Sequence, residues 1–354
     1  MAHTRPTLAD VAGAAGVSVS TASLAFSGAG PIAAETRARV RAAAAELGYA
    51  GPNPLGRSLR SGRSGIVAVV IGDQLRRSFR DPVSIQVLDG LVGFLGTMGL
   101  GVLLVPGMPA ADGTVQLDPL LESAPMDVAV LIWGARRADP VLAALQRRGV
   151  PIVIGEGPEV EGVPLVGIRD RRGTAELATY LRGLGHERIA TVTLPFAGDR
   201  RTGVVDDARM KQLDWTPTRH RLEGLTDAGV TPTVIVEAAA SLVEEGRAAA
   251  RILLDVPNPP TAVVAQSDLI AAGVLLSARE LGLRVPEDVS VAGFDGLDLP
   301  WMAPDVLTTV AQPLAAKGEA LGLAVAQLIA GESPGPVQLD VELRIGTTTG
   351  PPRS

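Results

Sequence analysis

The stretch TLADVAGAAGVSVSTASLAFSGAGPIAAETRARVRAAAAELGY, residues 7–49, decides how the chain begins and what the remainder must serve. Thr7 stands before an apolar residue, where its hydroxyl accepts from a backbone N–H that a first helical turn leaves unpaired. Leu8, Val11, Ala12 and Ala15 then recur on one helical face. Gly16 breaks that helix, and Ser18 opens a second only two residues on. Its inward positions are Thr21 or Ala22 and Ala25 or Phe26, which leaves Val19, Ser20, Ser23 and Leu24 outward. A third helix, about 34–47, turns Val40, Ala43, Ala44 and Leu47 inward and Arg37, Arg39 and Arg41 outward, and Gly48 stops it. Two short helices around a tight glycine turn, with a third packed behind, predict a helix-turn-helix unit.

Charge supports a separate role for this unit. The 354-residue chain carries a net charge of −6, yet residues 1–64 hold seven arginines against Asp10, Glu35 and Glu46, and the remainder holds 25 basic against 35 acidic residues. A basic small domain (+4) on an acidic large one (−10) is the asymmetry expected when only the small one meets phosphate; a plain solvated charged face is the equal alternative on charge alone. Hydrophobic residues make up 46%, enough for globular burial in two or three domains. No apolar run approaches the roughly 20 residues of a membrane helix, and MAHTRPTLAD lacks the apolar core of a signal peptide, so a cytoplasmic protein without a membrane partner is expected. The chain has no cysteine, which removes disulfides and thiolate sites. His3, His186 and His220 are too scattered for zinc. No cofactor and no metal are expected.

Residues 50–65, AGPNPLGRSLRSGRSG, read as a linker in which 54–60 can close about two helical turns when held against a partner. From residue 66 the pattern becomes alternating strand and helix: strands at 66–73, 101–107, 128–134 and 151–157 with helices at 83–99 and 141–149, then a second series from 164 that includes strands at 188–194, 233–238, 261–268 and 289–295. This winding predicts an α/β fold with doubly wound parallel sheets in two lobes and a ligand cleft at the carboxyl ends of the strands. The expected division is 1–50 for the head, 51–64 for the hinge and 65–354 for the core, with lobe 1 at about 65–163 and 299–331 and lobe 2 at about 164–298 and 332–354. Glycines at 90, 93, 96 and 99 stripe one helix, each costing about 1 kcal/mol relative to alanine, so close helix packing, within the lobe before across a dimer, is expected to offset them.

The segments TLADVAGAAGVSVSTASLAFSG, ETRARVRAAAAELGY, PNPLGRSLRSGRSG, LRGLGHERIA (181–190), AQSDLIAAG (265–273), LGLRVPEDVSVAGFD (281–295) and LTTVAQP (307–313) resemble, in order and spacing, the LacI/GalR family of bacterial transcription regulators. The resemblance implies a helix-turn-helix head, a hinge helix and a two-lobed core like that of periplasmic sugar-binding proteins. It implies a homodimeric repressor on a pseudo-palindromic double-stranded DNA operator, controlled by a small-molecule effector, a sugar or related polar metabolite. Val19, Ser20 and Leu24 then face bases. Thr7, Leu8, Ser18, Thr21, Ser23 and Thr36 lie on the DNA side, most as phosphate donors, and Tyr49 and Asn53 add backbone contacts. Leu24 stands where relatives carry arginine or histidine, so it offers only an apolar contact, such as to a thymine methyl. Ala33 replaces a capping serine. In the hinge, Leu59 takes the place of the minor-groove wedge, with Arg57 and Arg60 on phosphates; Gly56 replaces the usual alanine, and one extra residue precedes Asn53.

For the effector, the resemblance places Arg221 and Asp295 at the ligand, an arginine fork and a carboxylate suited to paired hydrogen bonds. Asp81 and Val83 fall at the pocket lip. Trp133, Trp215 and Trp301 are the candidate stacking surfaces, Trp133 foremost. Asp170 and Asp268 each read equally as ligand or as helix cap. Catalysis finds no support: GxSxG, GxxxxGK[ST] and HExxH are all absent. The rival readings are a solute-binding protein, which requires a secretion signal, and an enzyme on a Rossmann-like core. The C-terminus carries no leucine heptad, so no tetramer of that kind is expected.

Overall fold

A computed structural model describes residues 6–27, 30–51, 62–72, 75–109, 115–133 and 139–353. The chain divides into two compact units, residues 1–65 and 66–354.

In the first unit, helices α1 (Leu8–Ala14), α2 (Val19–Ser27) and α3 (Ala34–Glu46) form around Val11, Ala12, Ala15, Ala22, Ala25, Val40, Ala43 and Ala44, all buried. Thr7 and Asp10 make a reciprocal cap: the Thr7 N–H donates to the Asp10 carboxylate at 2.7 Å, and the Asp10 N–H donates to Thr7 Oγ1 at 3.3 Å. Gly16 turns the chain at φ 62° and Gly48 at φ 67°, a region that costs other residues strain. Ala33 makes no side-chain cap for α3. Leu47, expected inside, is 40% exposed. The Gly48 turn carries it outward and brings Tyr49 in, edge-on to Phe26 with ring centroids 5.6 Å apart.

The second unit contains, in order, β1 (Ile66–Ile71), α4 (Leu75–Ser78), α5 (Pro82–Thr97), β2 (Gly101–Pro106), β3 (Met108–Pro109), β4 (Val115–Gln116), α6 (Pro119–Ser123), β5 (Val128–Ile132), α7 (Pro140–Arg147), β6 (Ile152–Gly155) and β7 (Leu165–Ile168). It continues with α8 (Asp170–Gly183), β8 (Ile189–Thr193), β9 (Gly203–Val204), α9 (Asp207–Met210), α10 (Thr216–Asp227), β10 (Ile235–Glu237), α11 (Val243–Leu254), β11 (Ala262–Ala265), α12 (Asp268–Glu280) and β12 (Ser290–Asp295). Then follow β13 (Thr308–Ala311), α13 (Leu314–Ala330), β14 (Val337–Leu339) and β15 (Glu342–Arg344). Two large sheets result, ordered β14-β7-β6-β5-β1-β2 and β15-β13-β12-β11-β8-β10-β9, parallel except where β9 meets β10 and β15 meets β13, and β3 and β4 form a small antiparallel sheet of their own. In the first sheet the central strands β1, β5 and β6 are apolar throughout because both faces are covered: in β1, Val67, Val69 and Ile71 face α5 and α13, while Ala68 and Val70 face the opposite layer.

Three expectations need correction. The lobe boundaries move: β7 pairs with β6 (Ile154 beside Leu165) and β14 with β7, so both belong to the first sheet, whereas β13 belongs to the second. An apolar run such as PLVGI suits either sheet, and only pairing decides. The sequence predicts a helix over about 222–228; it begins earlier, at Thr216, with a proline in its first turn, where proline's missing N–H costs nothing. The glycine stripe is only partly a packing device. A Cβ on Gly90 would lie 2.4 Å from the Ala315 carbonyl oxygen, and α13 answers with Gly318 and Gly322, but a Cβ on Gly93 or Gly96 would meet nothing within 4 Å beyond its own helix. Gly99 serves the turn, at φ 69°.

Candidate functional site

In the head, Ser18, Val19 and Ser20 are exposed at the start of α2, while Thr21, Ser23 and Leu24 are half-buried. Ser18 is itself the cap, its Oγ accepting the Thr21 N–H at 3.1 Å, and it shares hydrogen bonds of 2.8 Å with the Ser20 and Thr21 hydroxyls. Val19 is 51% exposed, so this face presents an apolar tip beside a ring of hydroxyls. Thr7 is exposed, and Leu8, Thr36 and Tyr49 are half-buried. Asn53, Arg57, Leu59 and Arg60 lie outside the described residues.

In the core, the strand ends of both sheets meet around a cavity of about 110 Å³. Its walls include Asp81, Val83, Trp133, Arg221 and Asp295, five of the seven residues expected at an effector. Asp81 also caps α5, accepting the Val83 N–H at 3.0 Å. Asp170 lies outside this cavity, in an adjoining one. Asp268 lines neither cavity, and of its two even readings, ligand and helix cap, the cap falls to Ser267, whose Oγ accepts the Ile270 N–H. Asp268 is fully buried, accepting from Thr309 Oγ1 at 2.6 Å and the Leu297 N–H at 2.7 Å, and so fixes the loop after β12. Trp215 lines the cavity, whereas Trp301 is 53% exposed elsewhere.

A buried ionic chain that the sequence reading missed runs beneath the cavity. Glu156 Oε2 accepts from Trp133 Nε1 at 2.7 Å and Lys317 Nζ at 3.0 Å. Lys317 also donates to Gln312 Oε1 at 2.5 Å, and Gln312 Nε2 donates to Asp295 Oδ1 at 2.7 Å. Burial alone raises Glu156, but the charges of Lys317 and Arg221 and the hydrogen bonds outweigh it and hold the carboxyl below its ordinary range. Burial instead pushes Asp295 well above that range; Arg221 opposes the shift, and the neighbouring Asp268 and Asp81 add to it. Burial likewise pushes Asp268 up to about 7.

Several polar atoms are left without hydrogen-bond partners: Glu156 Oε1, Trp215 Nε1, Thr216 Oγ1 and Arg221 Nε are buried and belong to lining residues, with Arg221 Nε 3.9 Å from the Asp170 carboxylate. Each such group costs about 1–3 kcal/mol when unpaired. Arg221 is otherwise anchored, donating from Nη1 to the Gln266 carbonyl and stacking 3.7 Å above Phe294. Four non-glycine residues among those described have left-handed backbones, Trp133, Glu156, Arg200 and Asp295, and all four line this cavity. Strain of this kind costs of order 1–3 kcal/mol per residue and gathers at ligand clamps.

Besides the ionic chain, contacts among the described residues cross between the lobes. Arg200 Nη2 donates to the Gly72 carbonyl at 3.1 Å while its guanidinium lies 4.7 Å from the Trp215 ring, and Arg80 pairs with Glu244 at 2.7 Å. Among the described residues no cluster of histidine, aspartate and glutamate has metal-site geometry, and no single helix is long and apolar enough to cross a membrane.

Known proteins place this geometry. Residues 7–53 match the family model for bacterial regulatory proteins of the lacI family, and residues 178–349 match that for a periplasmic binding protein-like domain. An HTH-type transcriptional regulator of Mycobacterium tuberculosis is 35% identical over 98% of both chains. The HTH-type transcriptional repressor CytR of Escherichia coli is 31% identical over 88% of this chain and 86% of its own. Among solved structures, the regulator CelR in complex with cellobiose is similar at TM-score 0.69 and 29% identity, covering 97% of this chain and 100% of that one. The lac repressor dimer bound to operator shares the fold, with TM-score 0.80 at 24% identity over 98% and 100% of the two chains.

Proposed function

The chain belongs to the lacI family of bacterial regulatory proteins, transcriptional regulators with a periplasmic-binding-protein-like effector domain, and from that premise we propose that it is a repressor released or engaged by a sugar or related polar metabolite bound between its lobes. The observation that carries the effector reading is the coincidence of all four strained non-glycine residues with four buried polar groups that lack hydrogen-bond partners around one cavity. A ligand with hydroxyls satisfies such groups, since each hydroxyl donates to Glu156 and accepts from Trp215, Thr216 or Arg221. The repressor named CytR and the cellobiose-bound CelR support the two halves of the reading by likeness.

Two copies present two heads to a pseudo-palindromic operator. Ser20 and Val19 read base edges, Leu24 adds an apolar contact, and Thr7, Leu8, Ser18, Thr21, Ser23, Thr36 and Tyr49 lie against the backbone. Asn53, Arg57, Leu59 and Arg60 act in the hinge, with Leu59 as the wedge. Ligand binding changes lobe closure and thereby the spacing of the paired hinges, which requires that the DNA-bound and free states hold the ligand with different affinity. Gel shifts with fragments from the gene's own promoter region in rising salt test this, because a sequence-specific binder keeps a preference that a merely basic surface loses. Equal affinity for every fragment sinks the reading.

A further inference from the structure

The cleft does not end at the cavity described above. A second space of about 480 Å³ adjoins it, lined by Glu156, Gly167, Asp170, Arg219, His220 and Gln338 among others. The strand order explains how the two are related. Crossing the first sheet from β1 through β5 and β6 to β7 and β14, one meets Ile71, Trp133, Glu156, Ile168 and Gln338 in turn at or near the strand ends. Neighbouring strands stand about 4.8 Å apart, so the first cavity spans about 10 Å from β1 to β6 and the second continues about 10 Å from β6 to β14.

The opposite wall is divided at the same point. Trp215 and Arg221 line only the first space, Arg219 and His220 only the second, and Thr216 and Pro217, at the start of α10, line both, as Glu156 does from the other lobe. The cleft is therefore one trough with a waist formed by Glu156 and the Thr216–Pro217 turn. The front space alone is well below the roughly 300–1,000 Å³ usual for ligand sites, whereas the rear space falls within it, so a ligand that uses the front polar groups has room to extend only rearward.

The rear walls interleave donors and acceptors. The His220 Nδ1 is held by Asp170 at 3.1 Å, and Arg219 Nε is buried without a hydrogen-bond partner. Glu156, Glu159 and Asp170 outnumber Arg219 and His220, which disfavours a phosphate or carboxylate there. Resting on the effector reading above, we infer that the effector is an uncharged molecule of two polyhydroxylated units, a disaccharide or glycosylated polyol, with one unit in each space and its linkage at the Glu156–Thr216 waist.

Isothermal titration of the full chain with trehalose, maltose, cellobiose and lactose, each beside glucose and galactose, tests this. One disaccharide binds at least about tenfold more tightly than its component ring. Gln338→Trp, at an exposed edge-strand position that lines only the rear space, abolishes that difference and leaves ring affinity within about twofold; Arg219→Ala reduces the difference in the same sense without added bulk. Arg221→Ala, in the front space, weakens ring and disaccharide together. Equal affinity for ring and disaccharide, or equal weakening of both by Gln338→Trp, overturns the two-unit inference while ring binding leaves the effector reading standing. Binding of gluconate or glucose 6-phosphate alone overturns the uncharged class, and binding of no saccharide overturns inference and effector reading together.

Discussion

Replacing Lys317 by methionine isolates the ionic chain beneath the cleft. Lys317 is 2% exposed, and its ammonium is shared by Glu156 Oε2 at 3.0 Å and Gln312 Oε1 at 2.5 Å. Methionine fills similar volume but leaves the buried Glu156 carboxylate without its cation. Breaking a buried pair from one side costs about 3–5 kcal/mol. At about 2–4 °C per kcal/mol for a domain of this size, the core's Tm falls by roughly 6–20 °C at pH 8. In the native chain Glu156 is held below its ordinary value, so its contribution is present above that value and is lost as pH falls through the depressed one. In Lys317→Met, burial dominates and the folded-state value rises. The stability tied to the carboxyl is then present below the ordinary value and lost as pH rises through the raised one. The gap between variant and native chain therefore narrows from pH 8 to pH 5, and calorimetry at both values measures it. The double variant Lys317→Met/Glu156→Gln removes both charges and keeps an acceptor for Trp133, so it recovers most of the loss. A gap independent of pH, together with no recovery in the double variant, refutes the assignment of the loss to an uncompensated carboxylate.

Other outcomes follow from single contacts. Gly90→Ala drives a Cβ to 2.4 Å from the Ala315 oxygen and destabilises the core by about 1–3 kcal/mol, while Gly93→Ala, with nothing within 4 Å beyond its own helix, gains up to about 1 kcal/mol in helix propensity; thermal melts of the two move in opposite directions. Arg209→Met strips Glu237 and Asp199 of a guanidinium that donates to both at 2.6–2.9 Å, and chemical unfolding shows a loss of about 3–5 kcal/mol. Thr7→Ala removes the cap of α1, costs the head about 0.5–2 kcal/mol in helix-detected melting, and leaves the core transition unchanged.

Much of the architecture was legible because it rests on local chemistry. The Thr7 cap, the Gly16 and Gly48 turns and the apolar spacing of Val11, Ala22, Ala25, Val40 and Ala44 each announce themselves within a few residues. What pairing decides was not legible: β7 and β14 join the first sheet and β13 the second, although all three are short runs that suit either. The ionic chain was missed for a related reason, since Glu156 and Lys317 stand 161 positions apart. One sign was nonetheless present. Lys317 is one of only two lysines in a chain otherwise supplied with arginine, and it falls in register with Leu314, Leu321 and Val325 on the buried stripe of α13. A lone ammonium at a core position demands a buried anion.

The same ionic chain joins strained strand ends around the cleft. Trp133 follows β5, Glu156 follows β6 and Asp295 ends β12, each in a left-handed backbone, and hydrogen bonds through Glu156, Lys317 and Gln312 tie these three strand ends, from two different sheets, into one unit. Movement of one lobe relative to the other therefore loads the Gln312 link between Lys317 and Asp295, at the point where the chain passes from β13 to α13. A ligand that donates to Glu156 and accepts from Arg221 bonds to both lobes at once. Its differential contact with the closed and open states is then made at the groups that already hold the strained backbone. Packed interfaces of this kind settle in discrete arrangements rather than yielding continuously, so on the function proposed above occupation of the cleft would shift a balance between two lobe positions.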